Sequence, residues 1–492
     1  YSLFFVGRFR DELAAGGSTE SALARTFHTA GRTIFFSGAI VALSLMSLLV
    51  FPQILLRSMG FGGAATVGFA VLTSLTILPA FLAVLGPRIN RWALPIGPKK
   101  VNDESWGRFA KWVLRRYPAV LVGALALLVA AGLPFLKIHY ADEGLKSLPS
   151  HFQSRQVGES LEHDFATSQT SSLESLVTFK ADPTSQAALT ELAAYTKRLA
   201  ALPNVAAVDS AVSVQPGLTP DQATAFYSQS TSPAAAAAKA HYFHDHETLV
   251  TVKYRDDLPA DDARHLLRSM RTVAPPSGAD ILVGGEQAAL TDLLDGLQDR
   301  LLPAGLLIGG ATFILLMLML ESVVVPLMAI LLSVISLSAS FGALTWIFQD
   351  GNGEKLFGFT SSGSINSTIP ILIFVIAFGL AMDYEAFLIS RMKEHYNKHR
   401  DNTGAIIFGV QKTGRIITSA AMLLIVVMLA FATSEIINMK EIGLGLAIAV
   451  GVDVLVVRSL LVPAAMRLLG NANWWAPRSV RRVAARLGLG EV

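Results

Sequence analysis

Apolar runs dominate the chain. Eight stretches carry little or no charge: 33–50, 62–85, 118–136, 301–320, 323–347, 369–390, 416–433 and 441–466. A helix of about 20 such residues crosses the hydrocarbon core of a bilayer, so each stretch predicts a spanning helix. The chain opens on Tyr-Ser-Leu-Phe-Phe-Val-Gly-Arg, and residues 1–7 read as the cytoplasmic end of one more span. Between 137 and 300 the period changes. Strand alternation at Ser172–Lys180 is followed by an Ala-rich helix at Ser185–Leu202 and a strand at Val205–Val212. The order repeats as a strand at Glu247–Lys253, a helix at Ala260–Val273 and a strand at Asp280–Gly284. Two strand–helix–strand units predict a split-βαβ, ferredoxin-like module. The Ala234–Ala238 run between them reads as helix or linker.

Composition agrees with a membrane protein. Hydrophobic residues make up 52% of the 492 and charged ones 16%, against about 25% charged in soluble domains. The chain has no cysteine, which excludes disulfides, thiolate metal sites and a cysteine nucleophile. The excess of basic over acidic residues is not a nucleic-acid patch, because the basic residues flank apolar runs. Segment 86–116 carries Arg88, Arg91, Lys99, Lys100, Arg108, Lys111, Arg115 and Arg116, and 391–415 carries Arg391, Lys393, Lys398, Arg400, Lys412 and Arg415. The tail adds Arg478, Arg481, Arg482 and Arg486, while the opposite connections hold Arg57, Lys355 and Lys440. The positive-inside rule places the basic segments in the cytoplasm and 137–300 outside. The expected organisation is therefore 1–85 (stub and two spans), 86–116 (cytoplasmic linker), 117–136 (span), 137–300 (outer α/β domain), 301–467 (five spans) and 468–492 (cytoplasmic tail).

The chain also repeats itself. At an offset of 383 Tyr1 falls on Tyr384, Phe4 on Phe387, Arg8 on Arg391, Gly31-Arg32 on Gly414-Arg415 and Gly60 on Gly443. Asn90 and Trp92 fall on Asn473 and Trp475. One residue later Pro79 falls on Pro463 and Gly86 on Gly470. Parallel repeats mark many secondary transporters. The repeat predicts an acid matching Asp383 just before Tyr1, and by symmetry 12 spans and two outer domains in the whole protein.

Charge inside an apolar run is the strongest chemical signal. Asp383 lies about seven residues, roughly 10 Å, from the cytoplasmic end of its span. A carboxylate there costs several kcal/mol unless it is paired or protonated, which suits it to carry a proton. It reads as the only acid deep in that span. The neighbouring Tyr384 hydroxyl also needs a partner in lipid. Asp453 and Arg458 lie in the last span. Five residues of α-helix set them about 140° apart, so no simple pairing is expected. Arg458 can snorkel or reach another helix. Their first-copy counterparts are Ala70 and Leu75. Ser37 sits in an early span, where a serine hydroxyl can bond its own turn. Glycines such as Gly60, Gly62, Gly63, Gly443 and Gly445 suit close helix packing. His241, His244 and His246 cluster in HYFHDH, a solvated loop rather than a metal site, with no second ligand group nearby.

GLAMDYEAFLISRMKEHY resembles the Asp-Tyr helix of the MmpL family in the RND superfamily, and YSLFFVGRFRDEL looks like its first-half counterpart. AGRTIFFSG, ESVVVPLMAILLSVISLSASFG and VDVLVVRSLLVPA are similar to further family segments. The resemblance implies an RND-type all-α membrane bundle with an extracytoplasmic porter domain. It implies export of lipids or hydrophobic compounds across the inner membrane, driven by proton influx with no cofactor. Its proton relay maps onto Asp383, Tyr384 and Tyr1, with Ser37 nearby; Asp453 and Arg458 match polar positions of the family's last span. Expected partners are a hydrophobic cargo, membrane lipids and other envelope proteins. Multidrug or amphiphile efflux, a non-transporting scaffold or sensor, and an accessory to protein translocation remain open alternatives. The orientation has a direct test: with single cysteines on this cysteine-free background, an impermeant reagent should label position 200 and not 400 in intact cells; the reverse pattern refutes the topology.

Overall fold

The computed structural model describes residues 1–90, 103–141, 147–164, 170–215, 217–228, 232–255 and 258–486. Arg91, Trp92, Lys99, Lys100 and the last six residues of the expected tail lie outside the described residues. The chain divides into two compact units: Tyr1–Pro149 with Leu297–Val492, and Ser150–Gly296.

The first unit is a helical bundle. Its helices are α1 (Ser2–Ala14), α2 (Thr19–Val50), α3 (Ile54–Ile89), α4 (Asp103–Arg115), α5 (Tyr117–Lys137), α6 (Glu286–Leu320), α7 (Val324–Gln349), α8 (Thr368–His399), α9 (Asn402–Ala432), α10 (Ile437–Trp474) and α11 (Arg478–Arg486). Among the described residues eight helices, α2, α3 and α5 to α10, are long and apolar enough to cross a membrane. They coincide with the eight apolar runs but extend beyond them at their polar ends. The run expected at 301–320 is the latter part of α6, which starts at Glu286 and whose first residues count with the second unit. Residues 137–149, expected with the outer domain, belong to the bundle unit, where Tyr140–Ala141 pairs in parallel with Ile365–Asn366. Burial identifies the centre: 83% of the most apolar stretch of α8 is buried, against 11% for α3, α5 and α9. The basic linker holds the amphipathic α4, whose Trp106 covers Gly414 of α9, where a Cβ would stand 2.6 Å from the ring.

The sequence repeat is also a repeat of contacts. A Cβ on Gly60 would lie 2.7 Å from the Leu45 carbonyl oxygen and 2.9 Å from Leu48 Cβ; one on Gly443 would lie 2.6 Å from that of Met428 and 2.7 Å from Phe431 Cβ. These neighbours are themselves related by the offset of 383. Gly86 (φ 50°, ψ −134°) and Gly470 (φ 57°, ψ −131°) end the two copies in the same glycine-favoring conformation. Between Gly443 and Pro463 the offset grows by one residue, and that stretch of α10 contains a π-helical segment, Asp453–Leu461. The first copy instead interrupts its helix at Thr76 (φ −119°, ψ −66°). A single added residue in a helix is accommodated by widening the turn to i→i+5.

The second unit carries a five-stranded sheet. Its strands are β1 (Thr170–Phe179), β2 (Val205–Ser210), β3 (Phe243–His244), β4 (Glu247–Arg255) and β5 (Ala279–Gly284). The order is β2-β4-β1-β5, all antiparallel, with β3 on β4. Val250, Val252 and Tyr254 of β4 join Leu173 and Val177 of β1 in one core with Leu189, Leu192 and Tyr195 of helix Gln186–Ala200 and Leu266, Leu267 and Met270 of helix Ala260–Thr272. Ser185 caps the first of these helices through the Ala188 amide. The Ala-rich run lies in helix Pro233–Tyr242. Helices Gln153–Asp164 and Pro220–Ser228, too polar to stand out as periodic segments, complete the unit.

The matched glycine contacts yield a stability prediction. Gly60→Val and Gly443→Val should each destabilise the protein by about 1–3 kcal/mol through overpacking. Gly310→Val, with nothing within 4 Å of its Cβ position, should leave the detergent melting midpoint unchanged. Equal midpoints for all three would refute the packing account.

Candidate functional site

The acids converge on the buried middle of α8. Gly379 lets α8 approach α2 closely: a Cβ there would sit 3.5 Å from Val41 Cα. One helical turn further along each helix, Ser37 of α2 meets Asp383 of α8, and its hydroxyl donates to Asp383 Oδ1. Ser37 thus bonds across the helices rather than back to its own turn. Ser37 and Asp383 are both buried. The Tyr1 hydroxyl reaches Ser37 from the start of α1 and lies in the electrostatic field of Asp383 and Tyr384. The structure therefore brings together Tyr1, Ser37, Asp383 and Tyr384. The repeat-related rings Phe4 and Phe387 stack at 3.8 Å with 9° between their planes. They also line a cavity of about 400 Å³ that holds the ion pairs of Arg8 with Glu12 (2.9 Å) and Arg391 with Glu394 (2.9 Å).

Asp453 and Arg458 do pair, against expectation. Arg458 Nε donates to Asp453 Oδ2 at 2.5 Å, and both side chains are buried. The expectation assumed α-helical geometry. The π-helical segment brings residues i and i+5 onto one face, and Ser459 Oγ likewise bonds the Val454 carbonyl five residues back. Arg458 also donates from Nη2 to the Ala381 carbonyl of α8, and its guanidinium lies 5.3 Å from the centre of the Tyr384 ring. It thus reaches a neighbouring helix rather than snorkelling.

One functional candidate escaped the sequence reading. Glu385 is 1% exposed, so Asp383 is not the only acid deep in α8. Its Oε1 has no hydrogen-bond partner, and it lies in the electrostatic field of Arg458 and Asp453. It lies two residues after Asp383 in the same apolar run, with Ala386 to Ile389 after it, so the criterion that singled out Asp383 applies to it equally. Three buried carboxylates therefore lie in the field of one guanidinium, Asp453 in direct contact with it. His241, His244 and His246 are exposed, and no group able to hold a metal ion occurs among the described residues.

The MMPL family model matches residues 1–121 and 146–487. The trehalose monomycolate exporter MmpL3 of Mycobacterium tuberculosis (strain ATCC 25618 / H37Rv) is 32% identical over all of this chain and 53% of its own length. The mycolic acid-containing lipids exporter MmpL11 of Mycolicibacterium smegmatis is 30% identical over 98% of this chain and 48% of its own length. The chain spans about half the length of these curated relatives. The hedgehog release protein Disp from the water bear Hypsibius dujardini shares the fold, with a TM-score of 0.64 at 13% identity, over 95% of this chain and 61% of that one.

Removing one partner of a buried ion pair strands the other. Arg458→Met should therefore destabilise the protein by about 3–5 kcal/mol, and adding Asp453→Asn should restore most of the loss. Thermal unfolding in detergent measures both; a double variant no more stable than Arg458→Met would show that the pair is not the stabilising unit.

Proposed function

Because the chain belongs to the MMPL family, we propose that it is a proton-driven exporter of lipids or other hydrophobic compounds. It is a multi-pass protein of the bacterial plasma membrane. The observation that carries the proposal is Asp383, buried in the central helix and held by Ser37 beside Tyr1 and Tyr384. A buried carboxylate changes its surroundings more than an exposed one when it gains or loses a proton, because the charged form relies on fixed dipoles rather than water. Asp383 is the proton carrier in this reading. Its charged form is supported by the Ser37 hydroxyl and the field of Arg458; protonation removes the charge that both address. The loss favours a different packing of α2 against α8, and a ligand with differential affinity for two states drives a cycle between them. Tyr1 and Tyr384 pass the proton along hydroxyls, and the Phe4–Phe387 stack separates the carboxylate from the charged cavity toward the cytoplasmic end of α8.

The smaller unit fits an extracytoplasmic porter domain. Its antiparallel order β2-β4-β1-β5, with a helix after β1 and another after β4, supports a ferredoxin-like module. The orientation rests on the basic residues flanking α4, α8 and α11. The relatives named for export of trehalose monomycolate and mycolic acid-containing lipids point to a cell-envelope lipid as cargo. Membrane lipids and other envelope proteins are the partners this reading implies.

Proteoliposomes with an imposed proton gradient and a fluorescent acyl glycolipid test the reading. Asp383→Asn keeps shape and hydrogen bonding, so the protein should fold normally and lose gradient-driven glycolipid movement. Tyr384→Phe should impair movement equally or less. Movement at the wild-type rate in Asp383→Asn would make Asp383 structural and refute the proposal.

A further inference from the structure

A small cavity lies between α7, α8 and α10, lined among others by Ser333, Ser336, Ala377, Tyr384 and Asp453. About 10 Å³ of it is open to the centre of a water-sized sphere, room for one water. Two buried polar atoms on its lining have no hydrogen-bond partner: Ser333 Oγ, on a residue 1% exposed, and Asp453 Oδ1, on a residue 5% exposed. The other Asp453 oxygen is taken by Arg458. An unpartnered buried polar atom is destabilising, and a water that bonds both removes two such penalties. The adjacent Arg458 guanidinium disfavours a metal cation in the same space and favours a neutral ligand.

Ser333, Ser336 and Ser340 fall on one face of α7 at spacings of three and four, and all are buried. The face extends about 10 Å along the helix, from the cavity toward the end of α7 at Gln349. Ser340 and Thr345 spend their hydroxyl protons on their own helix, at the Ser336 and Phe341 carbonyls, and keep their lone pairs as acceptors.

We propose that this cavity binds one water bridging Ser333 and Asp453, and that the water is a step in a second proton path, down the serine face of α7 to Asp453. The water accepts a proton from the α7 side and releases another to Asp453 Oδ1, so it is itself unchanged. A protonated Asp453 releases Arg458, which then faces Glu385, Asp383 and the Tyr384 ring alone. Of the charged groups, Asp453 lines the cavity, Arg458 bonds Asp453, and Asp383 and Glu385 lie in the field of Arg458. This path rests on the proton-driven reading above and adds an inlet to it.

Proton influx into pyranine-loaded proteoliposomes, with the same fluorescent glycolipid in the membrane, tests the path. Ser333→Val fills the cavity and should slow influx about tenfold, while Ser333→Ala keeps room for the water but removes one partner and should slow it about threefold. Ser333→Ala should also raise the solvent isotope effect, which a purely structural role would not move. Ser338→Val, at a serine whose hydroxyl bonds its own helix at the Val334 carbonyl, should match the wild type in both influx and melting midpoint. Asp383→Asn is measured alongside. If Ser333→Val runs within about twofold of wild type while Asp383→Asn is inactive, the water path is wrong and the relay stands. If both run at the wild-type rate, the relay falls as well.

Discussion

Three buried carboxylates in the field of one buried guanidinium is the constraint on which the rest of the bundle depends. Asp383, Glu385 and Asp453 share the field of Arg458. A buried charge is tolerated only when it is paired and hydrogen-bonded. Arg458 answers this with three contacts: the Asp453 carboxylate, the Ala381 carbonyl and the face of Tyr384. Ser37 supplies a donor to Asp383. One guanidinium serves three carboxylates there, and other buried polar groups, Ser37 foremost, supply further hydrogen bonding. In the proposed cycle this cluster is what links the helix bundle to a proton gradient.

The asymmetry of the two copies follows from one residue. Both copies bring a glycine onto the preceding span in the same way, at Gly60 and at Gly443, and both end in a glycine of the same conformation. Between these fixed points the second copy has one residue more. The segment Asp453–Leu461 widens into a π-helix there, and the widening sets Asp453 and Arg458 face to face. The first copy has Ala70 and Leu75 at the matching places and no such pair. Bulges of this type are frequent at functional sites because they redirect side chains without ending the helix. Here the redirected side chains complete the charge cluster on α8.

Much of this was legible in the sequence, and the reasons differ by residue. The spans were legible because about 20 apolar residues in a row have few other uses. Asp383 stood out as a charge within such a run, Tyr1 followed from the repeat and the resemblance, and Ser37 from the resemblance alone. The strands and helices of the smaller unit showed through their periods of two and of three to four residues. The Asp453–Arg458 pair was hidden, because spacing arguments assume 3.6 residues per turn and the local geometry departs from it. The clue was present as the one-residue growth of the repeat offset. Glu385 was legible by the same criterion as Asp383, as a charge inside the apolar run 369–390, but was overshadowed by the Asp-Tyr pair beside it. Ser333 was hidden by its chemistry, since a serine in an apolar helix usually bonds its own backbone.

Infrared difference spectroscopy of the carboxyl groups tests the central claim most directly. The proposed cycle needs Asp383 to carry a proton in the resting protein. The account predicts a protonated-carboxyl stretch from the resting protein in bilayers at neutral pH, reduced in Asp383→Asn. A spectrum with no protonated carboxyl at neutral pH, or one that Asp383→Asn leaves unchanged, would contradict it.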